Sequence, residues 1–391
     1  MAFLYCGDAL AQKKVRIQPS LGGSTSYEAM APHDKDALLS TVKNMMQSVP
    51  NKESLNYCTV FNFGDDEIMN TEANDMLINK IDNGDTEAWY GNYDSFLNGS
   101  RSGNLYLKAW YFIYLANSSL AHLDELTDCT PEQKKEIEGD LYFMRAWWHQ
   151  ELFTYFGEMP YVDYELAYDE IVKLSCPSAK ECAEKCAADF AHAAELLPEV
   201  GTVQSNEPSL ANQSEAPNRL AALAYKGKVL LWAASPLNHN GAQKGALENG
   251  KTYSYDTELA EKSADALGAA LTLARGEQSH YKLTGTEQGQ SIYENLFYTV
   301  KKNWLHPGAK EAVFCTSNQE QNGSNWNFSK LWGPKLAGLV AHDNIIHQPT
   351  ANYINYAYGM ANGLPITDPD SGFDPEHPFK DRDPRFYNDI V

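Results

Sequence analysis

The chain has 391 residues, 21% of them charged, and a formal net charge of −21. That acidity repels phosphate backbones and argues against nucleic acid as a partner, and more weakly against strongly anionic polysaccharides. No apolar run reaches the ~18 residues a membrane-spanning helix needs, and the length suffices for a large core in one or two domains.

The N-terminal "MAFLYCGDAL" lacks a basic region, and its apolar stretch is too short for a signal peptide. Cys6 reads equally as the stump of a lipoprotein signal or as an ordinary cysteine. Helical patterning is weak around Lys35–Ser48, and residues 61–104 are punctuated by Asn, Gly, Asp and Ser in the manner of loops. From there helices come in pairs. Tyr106–Leu126 is followed by Pro131–Phe156, which Thr130–Gln133 opens as a capping box with Pro131 at the first helical position. In this second helix Ile137, Leu141, Met144, Trp148, Leu152 and Tyr155 form one stripe, while Phe143, Ala146 and Trp147 form another. A helix apolar on two sides is sandwiched between neighbours, so Trp147 and Trp148 are read as core. Gly157 and Pro160 stop it.

The next helix starts at the capping box "SAKE" (Ser178–Glu181) and runs to Leu197, ahead of Pro198. Its partner, roughly Asn218–Ala234, is thin at Ala221, Ala222, Ala224 and Gly227 and lets a neighbour approach closely. Asp256–Ala274 begins a third pair. The expected fold is mainly α, with tetratricopeptide-like hairpins near 106–156, 178–234 and 256–275. After about residue 276, short apolar runs alternate with Gly-, Asn- and Pro-rich loops, the kind of region that carries ligand contacts. Seven cysteines cannot all pair within the chain and include no C-x-x-C; Cys182 and Cys186 share a helical face as small buried residues.

Five segments, in order, resemble the SusD/RagB family, the glycan-binding lipoproteins of the Bacteroidetes outer membrane. "WYFIYLAN" matches at Ile113, Ala116 and Asn117, and "MRAWWHQELFTYFGEMP" at Arg145, Ala146, Phe156, Gly157 and Pro160. "DFAHAAELLP" matches at Asp189, Ala193, Leu197 and Pro198, and "RLAALAYKGKVLLWAASP" resembles the family's Ala-rich helix. The last segment matches at Pro349, Thr350, Tyr358, Met360, Gly363 and the "RDPRF" of Arg382–Phe386, while Ala351 and Asn355 depart from the family's commoner Gln and Asp. The resemblance implies a single SusD-like domain over 1–391, with its helical scaffold at about 106–275, its loop-rich part at about 276–391 and its C-terminal end missing beyond Val391. It further implies a surface-exposed outer-membrane lipoprotein without cofactor or catalysis. Such a protein captures an oligosaccharide or polysaccharide, or in some members a peptide, and hands it to a SusC-like TonB-dependent transporter.

Neutral sugars need aromatic planes and a few polar donors and acceptors. Two loop clusters offer them: Asp65, Asp66, Trp89, Tyr90, Asn92, Tyr93 and Arg101, and then Asn322, Asn325, Trp326 and Trp332, with Trp304 as a weaker third candidate. "DPDSGFD" (Asp368–Asp374) offers oxygens to calcium but lacks the EF-hand spacing and reads as a solvated turn. Two rival functions stand beside the glycan binder. A tetratricopeptide-type intracellular scaffold would bind peptide in a groove lined by helices. A glycoside hydrolase would need two carboxylates at fixed separation, a signal that 52 acidic residues leave uninformative.

Overall fold

The structure is a computed structural model; it describes residues 34–47, 68–70, 105–166, 174–199, 216–239, 254–277, 279, 281, 283, 311, 313–314 and 347–390. The chain divides into two compact units, one of residues 1–49 and 105–317, the other of 50–104 and 318–391.

The first unit holds α1 (Lys35–Gln47), α2 (Leu105–Ala121), α3 (Pro131–Phe156), α4 (Ala179–Leu196), α5 (Arg219–Ala234) and α6 (Thr257–Ala274). Each of the last four is started by its own side-chain cap. Thr130 and Ser178 form complete capping boxes with Gln133 and Glu181, and the Asn218 and Asp256 side chains accept from Ala221 and Leu259. α3 ends at Gly157. The first expected helix is shorter than the pattern suggested. It stops at Ala121, where His122 leaves helical geometry at φ −109° and ψ 11°, and a 3₁₀ turn, Leu123–Glu125, follows.

Side-chain pairing sets the helix directions. Asn117 meets Arg145 and Phe112 meets Trp148, so α2 and α3 are antiparallel. Arg145 meets Asp189 and Gly139 faces Leu197, which makes α3 and α4 antiparallel. Phe190 stacks on Tyr225 while Arg219 donates to the Leu197 carbonyl, which does the same for α4 and α5. Leu220 packs with Ala270 and Ser263 donates to the Gly227 carbonyl, reversing direction again at α6. The result is an up-and-down array of helical hairpins, mainly α as the periodicity predicts, with α1 lying against α2 and α3. Gly227 is where α5 and α6 touch: a Cβ there would lie 2.5 Å from Leu267 Cγ. Among the described residues no helix is long and apolar enough to cross a membrane.

The aromatic load of α3 is core. Trp148 is 0% exposed, stacks on Phe112 at 5.1 Å and meets Trp147 edge-on at 4.9 Å. Phe143 is the hub of a second aromatic group with Phe190, Tyr225 and Phe314. Cys182 and Cys186 are buried between helices, and that burial pushes the Cys186 thiol well above its usual range.

Among the described residues the second unit contains a two-stranded antiparallel sheet, β1 (Ile68–Asn70) with β2 (His347–Pro349), in the register Ile68↔Pro349. After β2 comes a π-type turn, Tyr353–Ala357, then a run of tight turns, then the short helix α7 (Phe386–Asp389). A bridge between Met360 and Arg382 closes this segment on itself. Gly359 sits at the closure, where a Cβ would lie 2.8 Å from the Leu364 carbonyl oxygen.

Truncating Trp148 to Ala is expected to cost roughly 3–5 kcal/mol by opening a cavity against Phe112 and Trp147. Chemical denaturation of parent and variant measures it; a loss below about 1 kcal/mol would contradict the core assignment.

Candidate ligand-binding site

The sequence-derived contact residues Asp65, Asp66, Trp89, Tyr90, Asn92, Tyr93, Arg101, Trp304, Asn322, Asn325, Trp326 and Trp332 lie outside the described residues. The described residues hold two buried arginine clamps, one groove and one exposed aromatic pair.

The first clamp is centred on Arg145 of α3. Its Nε and Nη2 donate to Asp189 Oδ2 and Oδ1 of α4 at 2.6 and 2.7 Å. Nη1 donates to Asn117 Oδ1 of α2 at 2.9 Å and to the Asp163 carbonyl at 3.3 Å. The Tyr161 hydroxyl adds a third bond to Asp189, at 2.6 Å, and Asn117 Nδ2 donates to the Val162 carbonyl at 2.9 Å. Burial works against the charge of Arg145, but Asp189 outweighs it and the guanidinium pKa rises. His149 completes the set. The Val162 amide donates to its Nε2 at 3.0 Å, so Nδ1 carries the proton and donates to the Arg145 carbonyl at 2.8 Å. Burial holds the imidazole neutral, with its pKa lowered to about 3. This constellation has acid, base and cation, yet every partner is internal, so its role is to join helices rather than to meet a ligand.

The groove lies across α4, α5 and α6 and encloses about 460 Å³. Ala187, Ala191, Leu223, Leu230 and Ala266 make an apolar floor, and Glu184, Lys226, Lys262 and Asp265 stand among its lining. Lys262 is bound to Glu184 and Glu258 at 2.7 Å each, and Lys180 joins Asp256 and Glu258, so a charged ladder ties the N-terminal ends of α4 and α6. These two lysines draw the Glu258 carboxyl down to about 2.

The second clamp is Arg382 of "RDPRF", 1% exposed. It donates to the carbonyls of Ile354, Asn355, Tyr358, Gly359 and Pro378 and stands 5.0 Å above the Phe386 ring. Burial lowers its pKa. Around it Phe379 and Tyr387 remain exposed, while the neighbouring Asp383 and Arg385 form an ion pair at 2.6 Å. The "DPDSGFD" turn is closed by its own side chains, with Asp370 and Phe373 amides donating to Asp368 and Ser371.

Sequence reasoning singled out Asn117, Arg145, Asp189 and Arg382 as matched positions without seeing what they do. The available signal was an Arg within the apolar run Phe143–Trp148 and an Asp set between Ala188 and Phe190. The exposure of Phe379 and Tyr387 left no such signal.

The family profile described as "Starch-binding associating with outer membrane" matches residues 25–231. The chain belongs to the SusD-like family. Solved structures agree on the fold. A SusD-like protein of Bacteroides fragilis superposes with a TM-score of 0.60 at 17% identity, over 93% of this chain and 61% of that one. A SusD-like carbohydrate binding protein of the same species gives 0.52 at 18% identity, over 93% and 59%. A SusD superfamily protein of Bacteroides vulgatus gives 0.50 at 14%, over 86% and 60%. This SusD-like chain therefore spans about three fifths of the length of those relatives. No curated protein matches it.

The His149 geometry predicts a pH dependence. Between pH 6.5 and about 3 the unfolded imidazole binds a proton that the folded one refuses. Stability therefore rises with pH across that window and falls as pH drops, by roughly 1 kcal/mol per unit. Glu151 has the opposite sign, because burial lifts its carboxyl from 4.5 to about 7. Comparing the parent with His149→Gln isolates the histidine: the variant should lose stability less steeply from pH 6.5 downward. Equal slopes in the two denaturation series would refute the neutral, buried imidazole.

Proposed function

We propose that this SusD-like protein is a non-catalytic glycan-binding protein of the cell surface. On this reading it is a lipid-anchored single SusD-like domain of the outer membrane that captures oligosaccharide and delivers it to a SusC-like TonB-dependent transporter. The observation that carries the reading is the family match over residues 25–231 with its starch-binding description. The net charge of −21 favours neutral over anionic glycans. Cys176 is disulfide-bonded, which suits an oxidising compartment outside the cytoplasm. The Arg145 clamp keeps its polar groups for internal partners, and this reading assigns ligand contact to the loops: Asp65, Asp66, Trp89, Tyr90, Asn92 and Arg101 with Asn325, Trp326 and Trp332.

A second reading is supported by the groove across α4, α5 and α6. Its apolar floor and charged rim would take a peptide, as concave faces of helical-repeat proteins do.

A combined glycan and peptide array on the purified protein separates the two. With a glycan hit in hand, truncating Trp89, Trp326 or Trp332 to Ala is expected to weaken binding by about thirtyfold in at least one variant, equivalent to about 2 kcal/mol. The melting temperature should stay nearly unchanged. Three variants that bind the hit as tightly as the parent would remove the loop-aromatic reading, and a peptide-only array result would remove the glycan one.

A further inference from the structure

We infer that the groove across α4, α5 and α6 recognises the C-terminal end of a short peptide, with the terminal carboxylate on the Lys226 ammonium and small apolar side chains against the alanine walls; the inference rests on the peptide reading of that groove and is independent of glycan binding by the loops. The groove encloses about 460 Å³, within the roughly 300–1,000 Å³ typical of small-ligand sites. Its walls are short: Ala187, Ala188 and Ala191 line it from α4, and Ala266 and Ala269 from α6. Leu223 and Leu230 of α5, one turn to either side of Lys226, give it an apolar floor.

Charge distinguishes this surface from an ordinary apolar cleft. The lysines around it are committed. Lys180 binds Asp256 and Glu258, Lys185 binds Asp163, and Lys262 binds Glu184 and Glu258. Lys226 is partly buried in the groove and, among the described residues, holds neither an ion pair nor a hydrogen bond. Asp265 lines the same groove, exposed and equally uncommitted among the described residues. An ammonium partly withdrawn from water and lacking an acid gains most from an incoming anion, and its bond to a carboxylate is stronger than one to a neutral hydroxyl. Asp265 supplies acceptors for backbone N–H groups. A peptide end brings a carboxylate, amide N–H groups and an apolar side chain within one or two residues, which is the combination this surface leaves unmatched.

The groove also favours a chain end over a chain passing through. The Lys262–Glu184 ion pair, at 2.7 Å, joins α6 to α4 beside Leu230, and α5 lies between those two helices. An internal segment running the length of the groove would have to break this pair. A chain that stops at Lys226, one turn short of Leu230, leaves it intact.

The test uses the whole 391-residue chain and N-acetylated tetrapeptides of alanine, valine and leucine, each prepared as the free acid and as the C-terminal amide. Binding is titrated calorimetrically into the parent and into Lys226→Met, Lys226→Arg and Ala188→Trp, with unfolding followed for each. Ala188 is an exposed wall residue, so a large ring there fills the groove without entering the core. The free acids are expected to bind the parent about tenfold or more tighter than the amides. Lys226→Met should abolish that preference, Lys226→Arg should keep it, and Ala188→Trp should block both peptide forms. Equal binding of acid and amide by the parent, or an undiminished acid preference in a folded Lys226→Met, overturns the recognition of the terminus; the groove reading then stands if Ala188→Trp still blocks. Binding untouched by Ala188→Trp, or no binding of these peptides by the parent, removes the groove reading and the inference together.

Discussion

The helical array depends on a guanidinium group with almost no access to water. Arg145 lies at the middle of α3, and its guanidinium makes four hydrogen bonds, two to Asp189 of α4 and one each to Asn117 of α2 and the carbonyl of Asp163. An unpaired cation at that depth would cost several kcal/mol, so α2, α3 and α4 are held to the one arrangement that satisfies it. The bidentate, planar fit to a carboxylate needs arginine; lysine has a single ammonium and no fork. Tyr161, Val162 and His149 extend the same network to the segment after α3, so the chain leaving that helix is tied back to its middle.

Arg382 shows a second way to bury the same side chain. It has no carboxylate partner and is satisfied by carbonyl dipoles from turns that would otherwise hold unpaired acceptors. The difference follows from the surroundings. Helices have few free carbonyls along their length, so a buried arginine among them needs an acid from a neighbour. A segment made of turns has many, and an arginine at its centre can gather them. In both places the charge organises backbone that hydrophobic burial alone, being non-directional, would leave in several arrangements.

These internal uses of charge shape where a ligand can act. Asn117, Arg145, His149 and Asp189 of the α2–α4 core are committed to internal partners, and the Trp147 and Trp148 rings are covered. Among the described residues, what remains accessible includes a small-residue groove over α4, α5 and α6 and the exposed rings of Phe379 and Tyr387. A binding protein that presents ligand contacts from turns on a rigid frame needs that division, because turns tolerate change that packed helices do not.

The sequence by itself determined helices α3 to α6 and where they start. Thr130, Ser178, Asn218 and Asp256 are caps whose hydrogen bonds reach only three residues ahead, so the local pattern contains all the information they use. The same holds for the buried stripes of α3, whose spacing states which sides are covered, and for the thin stretch at Gly227. Tertiary structure alone decided which polar residues meet. Arg145 and Asp189 lie 44 positions apart, and Arg382 gathers carbonyls up to 28 positions away. No local periodicity encodes such pairings; they exist only once packed helices and closed turns bring the groups together. Exposure of Phe379 and Tyr387 beside a buried Phe386 was decided the same way. In sequence Phe386 and Tyr387 are adjacent aromatic residues, and only the folded segment, pinned by Arg382, turns one inward and the other to solvent.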